Sequence, residues 1–313
     1  MFHGPLDLRS AEILRELKTR INGLNLPPSK LDESILVASW NIRAFGKAER
    51  DPLALHLIAE ILGQFDLISI VELGEDLSEL ATVLSYLGPY WSVVYSDLTE
   101  DAAGNWERLA FIYDQRAVQF CGLAGSGIAP REKVGDEYIS YKSFWRAPFS
   151  VAFRSGNFDF VAIAAHMRWG KSKAARVDEI ERFAKWVDLK LKREKRVDAD
   201  ILVFGDFNTE DPGMLDALLS QGLKVPTPLQ NIKTNLQSTQ HYDHILHNPN
   251  FTLAFTDKGG VAKVFSQADH VWFPDVAATR FSYQLSDHFP VWAMLRTDND
   301  TEKLDQLIRA ARQ

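Results

Sequence analysis

Apolar segments that end abruptly in a polar side chain recur along the chain, and this pattern constrains the fold more than any other feature of the sequence. Residues 35–40 lead into Asn41, and residues 67–71 lead into Glu72. Runs that are apolar at nearly every position are typical of strands that are buried on both faces. Four further motifs place polar residues at predicted strand ends, and these are AHM at 165–167, GDFN at 205–208, YDH at 242–244 and SDHFP at 286–290.

The remaining apolar periodicity indicates an α/β fold in which strands outnumber helices. Helices are predicted over residues 53–62 and 76–87, and a longer helix near 177–191, where apolar residues recur at steps of three and four. Further strands are predicted over residues 92–95, 109–113, 149–153, 158–165, 201–204, 242–247 and 290–295.

Two helical segments lie outside this strand pattern. Near the amino terminus, five apolar residues share one predicted helical face, so residues 1–33 are expected to form a helical extension; these five are Leu8, Ile13, Leu14, Leu17 and Ile21. A second short helix is predicted over residues 298–313. No internal repeat or Pro/Gly-rich linker divides residues 34–297, and we therefore predict one α/β domain there.

The composition limits the class of protein and its partners. Cys121 is the only cysteine, so an intramolecular disulfide is excluded, which suits a reducing compartment. No apolar run reaches the roughly 18 residues that span a bilayer, and the first residues lack a signal-peptide core, so we expect a cytoplasmic protein without membrane contact. The net charge of −7 argues against nucleic-acid binding through a general basic surface. It is compatible with an enzyme that meets phosphate through a bound cation.

The polar strand ends share one kind of chemistry. Carboxylates, carboxamides and histidines from separate strands suit a shared phosphate and metal site, because hard divalent cations prefer oxygen ligands and phosphoryl oxygens need donors. Taken singly, Glu72 or Asn41 is explained as a turn residue, and His166 as a polar group near the core. GDFN is more specific, because Gly205 permits a tight exit from its strand. SDHFP is more specific still, since Pro290 restricts the backbone after a carboxylate and an imidazole.

Together these motifs resemble the endonuclease/exonuclease/phosphatase superfamily, and most closely its deoxyribonuclease I-like branch. The resemblance extends from about residue 35 to 296, and its most specific element is SWNIRAFG at 39–46. NWER at 105–108 and WRAPF at 145–149 also resemble segments of that branch. The resemblance implies a two-layer β-sandwich flanked by helices, in the four-layer α/β/β/α arrangement, with the catalytic domain at 34–297.

The resemblance implies a divalent-metal site. Glu72 and Asp287, helped by Asn41, are expected to hold Mg²⁺ or Mn²⁺. The ion would neutralise the charge that develops on the phosphate in the transition state. Asn41 is expected to contact the phosphate as well.

The resemblance also implies two histidines that transfer protons. His288, oriented by Asp243, would draw a proton from the attacking water, or would work through Asp206. His166, paired with Glu107, would stabilise the phosphate or protonate the leaving oxygen. The sequence leaves open which histidine is the acid and which is the base.

Several donors are expected to contact the substrate. Asn208 and Arg146 would donate hydrogen bonds to phosphate oxygens, and Arg43 would contribute a further phosphate contact. Arg168 and Trp169 follow His166, and a cation beside an indole could bind a phosphate and stack on a base or a lipid head group. The alternative for these two residues is a pair that packs at the rim of the site.

The resemblance predicts an endonuclease that hydrolyses phosphodiester bonds in DNA rather than RNA, acting as a monomer. A second interpretation keeps the site but assigns it to small or lipid phosphoesters of the inositol phosphate or sphingomyelin type. A third is a catalytically inactive binding module, which the complete set of polar residues disfavours. Two positions differ from the branch: Asn105 stands where it has a tyrosine, and Leu73-Gly74 where it has Val-Arg.

Overall fold

The computed structural model describes residues 1–31, 33–99, 106–129, 131–140, 143–170, 172–193, 197–298, 300–301, 304–305 and 308. The described helices are, in chain order, α1 (Leu8–Gly23), α2 (Pro52–Leu62), α3 (Ser78–Leu87), α4 (Lys173–Leu191) and α5 (Pro212–Leu219). The described strands are β1 (Ser34–Phe45), β2 (Leu67–Leu73), β3 (Trp91–Tyr95), β4 (Arg108–Asp114), β5 (Gln119–Ser126), β6 (Arg131–Val134), β7 (Glu137–Ser140), β8 (Phe149–Ser155), β9 (Phe158–His166), β10 (Ile201–Asp206), β11 (Asp243–His247), β12 (Phe255–Val261) and β13 (Val291–Arg296).

The strands form two large mixed sheets and one small hairpin. The first sheet has the order β12-β13-β1-β2-β4-β3, and the second has the order β11-β10-β9-β8-β5. β6 and β7 pair only with each other. The two large sheets face each other, since β1 and β2 contact β10 and β9 across the interior. The predicted two-layer β-sandwich is therefore confirmed.

Each large sheet contains one parallel pair at its centre. β1 runs parallel to β2, with Asn41 beside Val71, and β9 runs parallel to β10, with His166 beside Asp206. Parallel strands bring their carboxyl ends to the same edge of a sheet. Because the two pairs contact each other across the sandwich, the polar ends of four strands meet at one edge of the molecule.

The alternation of side chains along β1 shows how the layers are built. Ile35 and Val37 point into the interior between the sheets, whereas Leu36, Ala38 and Trp40 belong to a second core on the outer face. That second core contains the buried residues of α1, α2 and α3. The apolar faces of α4 and α5 pack against the second sheet. The layers follow the predicted order α/β/β/α.

The helices begin where the sequence supplies capping side chains. Asp51 accepts a hydrogen bond from the Leu53 backbone N–H at the start of α2, and Pro52 occupies the first turn, where its missing N–H costs little. Asp211 and Pro212 repeat this arrangement at the start of α5. α5 leads away from the segment 206–211, so its start limits how far that segment can move.

The two terminal segments differ in how far the structure describes them. α1 buries Ile13, Leu14, Leu17 and Ile21 in the same core as α2, whereas Leu8 is 76% exposed. Residues 300–301, 304–305 and 308 are helical, but the rest of the predicted 298–313 helix beyond 298 lies outside the described residues. Within the described part of the chain, no helix is both long enough and apolar enough to cross a membrane.

Candidate active site

Asn41 at the end of β1 links the two sheets. Its Nδ2 donates to Glu72 Oε1 at 3.0 Å and to Asp206 Oδ2 at 3.0 Å. Glu72 Oε2 accepts a further hydrogen bond from the Ala44 backbone N–H at 2.9 Å. Glu72 has φ 64° and Ala44 has φ 48°, in the left-handed region that such residues seldom occupy. Strained backbone of this kind concentrates at functional sites, and here it orients the Glu72 carboxylate.

The GDFN motif places two polar side chains where β10 ends beside β9. Gly205 has φ 144°, and a Cβ there would lie 1.8 Å from the Ala165 carbonyl oxygen, so only glycine allows this approach. Asn208 has φ 49°, and its backbone N–H donates to Asp206 Oδ1 at 2.9 Å. Its side-chain Nδ2 donates to the Met167 carbonyl at 2.9 Å. The motif thus holds both side chains in defined orientations.

Two histidines point towards the same oxygen of Asp206. His288 Nδ1 lies 2.7 Å from Asp243 Oδ2, and His166 Nδ1 lies 3.4 Å from Glu107 Oε2. The Nε2 atoms lie 4.0 Å (His288) and 3.9 Å (His166) from Asp206 Oδ2. The structure therefore brings together the two predicted histidine–carboxylate pairs, with the free ring nitrogens facing each other across Asp206.

The SDHFP segment is fixed by contacts that the sequence analysis did not assign. Ser286 Oγ donates to the Asn41 carbonyl at 2.6 Å and accepts from the His288 backbone N–H at 2.9 Å. Trp40 Nε1 donates to the His288 carbonyl at 2.9 Å. Ser286 belongs to the SDHFP motif and Trp40 to the SWNIR motif. The sequence motifs therefore included both residues, although the sequence analysis assigned them no role. These bonds join the ends of β1 and β13.

The two histidines have opposite electrostatic surroundings. Burial and the positive charge of Arg146 together lower the pKa of His166 to about 4. Burial also opposes protonation of His288, but the negative charge and hydrogen bond of Asp243, with the charges of Asp206 and Asp287, raise its pKa to about 10. The pKa values of the two histidines are thus shifted in opposite directions.

The pKa values of the acids in the site are also shifted in opposite directions. Burial raises the pKa of Asp206 and of Asp287 above the usual value for aspartate. Burial also acts on Glu72, but the charge of His166 and the Ala44 N–H hydrogen bond outweigh it and lower the pKa of Glu72. The negative charge of Glu72 also contributes to the raised pKa of Asp287.

The residues at this edge fit a divalent cation. One potential ligand atom each from Asp206, Asp243 and His288 lies within 4.8 Å of the others. Asn41 Oδ1 and Asp243 Oδ1 are buried and lack a hydrogen-bond partner among the described residues. Buried polar atoms without partners are rare unless an ion or water supplies the missing contact. Hard oxygen ligands of this kind suit Mg²⁺ or Mn²⁺. This group includes residues assigned to proton transfer and lies next to the predicted set of Asn41, Glu72 and Asp287.

The two predicted phosphate-binding arginines contact acids of the site. Arg43 Nη1 lies 3.0 Å from Asp287 Oδ2, and its guanidinium lies 4.1 Å from the centre of the Tyr283 ring. Arg146 is buried and forms an ion pair with Glu107, the carboxylate that also faces His166. Both guanidinium groups therefore neutralise acids that surround the histidines.

Arg168 and Trp169 do not form a pair with each other, although they are adjacent in the sequence. The Arg168 guanidinium lies 4.5 Å from the centre of the Trp145 ring. Trp169 contacts Tyr242 edge to face, with ring centres 6.1 Å apart. Both residues lie beside the site, but each is combined with an aromatic residue from another segment. Neither Trp145 nor Tyr242 was predicted as a site residue.

Comparisons with known proteins agree with this arrangement. Residues 38–288 match the endonuclease/exonuclease/phosphatase family. A protein from Thioalkalivibrio sp. (strain K90mix) named deoxyribonuclease is 29% identical over 286 residues, which cover 86% of this chain and 73% of that protein. This similarity supports the predicted deoxyribonuclease I-like branch.

Solved structures show the same fold at lower sequence identity. An endonuclease/exonuclease/phosphatase family protein from Bacteroides thetaiotaomicron is 20% identical, with a TM-score of 0.55 over 87% of this chain and 100% of that one. The mannosyl-6-phosphatase Bt3783 from the same species is 18% identical, with a TM-score of 0.54 over 83% of this chain and 99% of that one. The protein is a hydrolase acting on phosphoesters, and it belongs to the endonuclease/exonuclease/phosphatase family.

Proposed function

We propose that the protein is a divalent-metal-dependent endonuclease that hydrolyses phosphodiester bonds in DNA. The observation that carries this proposal is the pair of histidines that each face a carboxylate through Nδ1 and whose Nε2 atoms lie 3.9 Å and 4.0 Å from Asp206 Oδ2. A phosphate bound between the two Nε2 atoms would meet a proton donor on one side and a proton acceptor on the other. The residues suited to a cation border the same position, so charge neutralisation and proton transfer would act on one phosphate.

Asn41, Glu72 and Asp287 would hold the ion. A bound Mg²⁺ or Mn²⁺ would neutralise charge on the phosphate and polarise one of its oxygens. The lowered pKa of Glu72 keeps its carboxylate ionised and ready for a cation. Arg43 now shares Asp287, at 3.0 Å, and would turn from this carboxylate towards a phosphate oxygen when the ion is held there.

His166 and His288 would share the proton transfers. Asp243 holds Nδ1 of His288, and Glu107 faces Nδ1 of His166, so each Nε2 is left free to exchange a proton with the attacking water or the leaving oxygen. Because the two rings and Asp206 influence one another, we assign the titration to the group and not to a single residue. A cation held by the neighbouring carboxylates would lower the pKa of His288.

Asn208 would bind a nonbridging phosphate oxygen. Its Nδ2 uses one N–H for the Met167 carbonyl at 2.9 Å, which leaves the second N–H for the substrate. Arg146, next to Glu107, would add charge on the same side, as a guanidinium suited to phosphate. Both groups are held by the protein before substrate binds, which lowers the cost of ordering them.

DNA is proposed as the substrate because the sequence relative from Thioalkalivibrio is named a deoxyribonuclease. Of the two departures from the deoxyribonuclease I-like pattern, Asn105 lies outside the described residues. Gly74 stands where the branch has its arginine and has no side chain that could reach a DNA groove, and Leu73 before it is fully buried. The proposed contacts to duplex DNA are therefore phosphate contacts near the ion.

The test is a substrate panel with the parent protein and Asp206→Asn. Supercoiled plasmid, single-stranded DNA, RNA and a set of phosphomonoesters are incubated with Mg²⁺ or Mn²⁺, with and without chelator. We expect cleavage of DNA that is abolished by chelator and by the substitution, with little release of inorganic phosphate. Hydrolysis of phosphomonoesters without any cleavage of DNA would reject the endonuclease and favour the second interpretation, a phosphatase.

A further inference from the structure

Aromatic rings continue outward from the two histidines. The Tyr242 ring centre lies 5.7 Å from that of His288, and Trp169 contacts the far side of Tyr242 edge to face at 6.1 Å. Tyr242 directly precedes Asp243, and Trp169 follows His166 by three residues. The segments that place the proton-transfer residues thus also place these rings beside them.

Trp169 packs against a buried arginine but remains largely exposed to solvent. The guanidinium of Arg176 lies 5.2 Å from the centre of its ring, and Arg176 is itself only 6% exposed. Arg176 Nη2 donates to Glu210 at 2.7 Å, while its Nε and Nη1 have no hydrogen-bond partner among the described residues. Trp169 remains 59% exposed in spite of this support. A large ring that is positioned by a buried cation and left exposed is suited to stack on a ligand.

A second exposed indole, Trp145, contacts Arg168, the residue before Trp169. Trp145 is 42% exposed, and Arg168 lies over its ring at 4.5 Å. The Trp145 backbone N–H donates to the buried Glu179 at 2.7 Å, which fixes its position. Trp145 and Arg168 line a cavity of about 520 Å³ together with Glu179 and Arg182. We call Trp145, Arg168, Trp169 and Tyr242 the aromatic rim.

Arg176 lies over one face of the Trp169 ring and Arg168 over one face of the Trp145 ring, so a base would stack on the opposite face of each indole. In duplex DNA the bases are stacked on each other, and only their edges are accessible in the grooves. In a single strand the base faces are free and stack on aromatic side chains, independently of sequence. The net charge of −7 argues against a general basic surface that would hold a duplex by its phosphates alone.

We propose that the aromatic rim stacks unpaired nucleobases next to the scissile phosphate, so that single-stranded nucleic acid is the preferred substrate. This inference rests on the proposed phosphodiesterase function. Trp169 and Tyr242 receive a base beside His288, and Trp145 with Arg168 receives a neighbouring base. The rim positions the strand across the histidines and takes no part in bond cleavage.

The experiment compares one strand in two forms. A mixed-sequence DNA oligonucleotide and a hairpin that pairs the same bases are cleaved with Mg²⁺ by the parent, Trp169→Ala and Trp169→Phe, and kcat and KM are measured for each. Tyr90→Ala is the matched control. Tyr90 is also exposed, at 54%, and stacks with Arg116 at 4.9 Å, but it lies at the opposite end of the first sheet.

We expect the parent to prefer the single strand, and Trp169→Ala to raise KM for it by about tenfold, with a smaller change in kcat. In Trp169→Ala, the ratio of kcat/KM for the single strand to kcat/KM for the hairpin should fall accordingly. Trp169→Phe should recover most of the preference because it keeps a ring, and Tyr90→Ala should behave as the parent.

Two results would reject different claims. If the parent cleaves DNA but Trp169→Ala keeps the same ratio of single-strand to hairpin cleavage, the rim is not a stacking site and the proposed function stands. If the parent cleaves neither form with Mg²⁺ or Mn²⁺, the proposed function is rejected instead.

Discussion

Strand β2 has a carboxylate near each end, and the two carboxylates have opposite electrostatic properties. Asp66 directly precedes the strand, and burial, helped by the charge of Asp114, raises its pKa to about 6. Glu72 stands near the other end, where the charge of His166 and a backbone N–H outweigh burial and lower its pKa. Both side chains are partly buried, so burial alone does not decide the protonation state.

The difference lies in what surrounds each acid. The Asp66 carboxylate accepts from the Leu36 backbone N–H at 2.7 Å and from Ser29 at 3.2 Å, and these bonds join the start of β1 to the start of β2. Such hydrogen bonds survive when the carboxyl is protonated or replaced by an amide. Glu72 instead faces two histidines across a group of acids, where its ionised form is what the neighbours stabilise.

This comparison separates structural acids from functional ones. An acid that only joins two strands by hydrogen bonds can be neutral without losing those bonds. An acid that binds a cation has to be ionised to do so. We expect substitutions at the Glu72 end to affect catalysis and metal binding, and substitutions at the Asp66 end to affect the free energy of unfolding.

The largest effect is expected from the histidines that stabilise the ionised Glu72. His288→Ala and His166→Ala should each lower turnover by about 10² to 10⁴, the range for a lost proton-transfer group. The double variant should be far from additive, because both rings act on one phosphate. Steady-state cleavage of DNA with saturating Mg²⁺ measures this. His270→Ala, a half-buried histidine in a separate 3₁₀ helix, serves as the control.

Near-parent turnover in either single variant would remove that histidine from the mechanism. Fully additive losses in the double variant would show that the two rings act in separate steps. Either result would also weaken the contrast between Glu72 and Asp66, because the charges of these two rings help to lower the pKa of Glu72.

A smaller effect is expected for the affinity of the metal ion. Glu72→Gln removes one negative charge but keeps the size of the side chain, and should weaken Mg²⁺ or Mn²⁺ binding by at least the 10- to 100-fold typical of residues that only support metal ligands. Asp66→Asn is the matched control at the other end of β2 and should bind the ion as the parent does. Calorimetric titration of all three proteins measures the affinities, and equal affinities in parent and Glu72→Gln would reject the assignment.

The fold could be predicted where strands are buried on both faces. β1, β2, β9 and β10 are long apolar runs, and the family motifs at their ends identify the arrangement of the sheets. β12 was not predicted; like β5, it lies at the edge of its sheet, and neither strand has a buried residue. Edge strands need no apolar face, so QFCGLAGS and FTDKGGV show no period that distinguishes them from loops.

The residues of the site could be predicted from their motifs, but their partners could not. Arg146 was expected to contact phosphate, and in the structure it forms an ion pair with Glu107. Arg168 and Trp169 were considered as a pair, and they point to different aromatic partners. Side-chain direction just after a strand depends on the backbone of the neighbouring segments, which a single sequence does not contain.

The smallest effect concerns stability at the other end of β2. Because the folded-state pKa of Asp66 is raised from 3.8 to about 6, its contribution to stability is fully present below pH 3.8 and is lost as the pH rises through 6. Asp66→Asn cannot ionise and keeps both hydrogen bonds. Relative to the parent, the variant should therefore gain on the order of 2 kcal/mol in the free energy of unfolding between pH 4 and pH 7. Urea unfolding across this range measures the difference, and a difference that is independent of pH would show that Asp66 is ionised throughout, like Glu72.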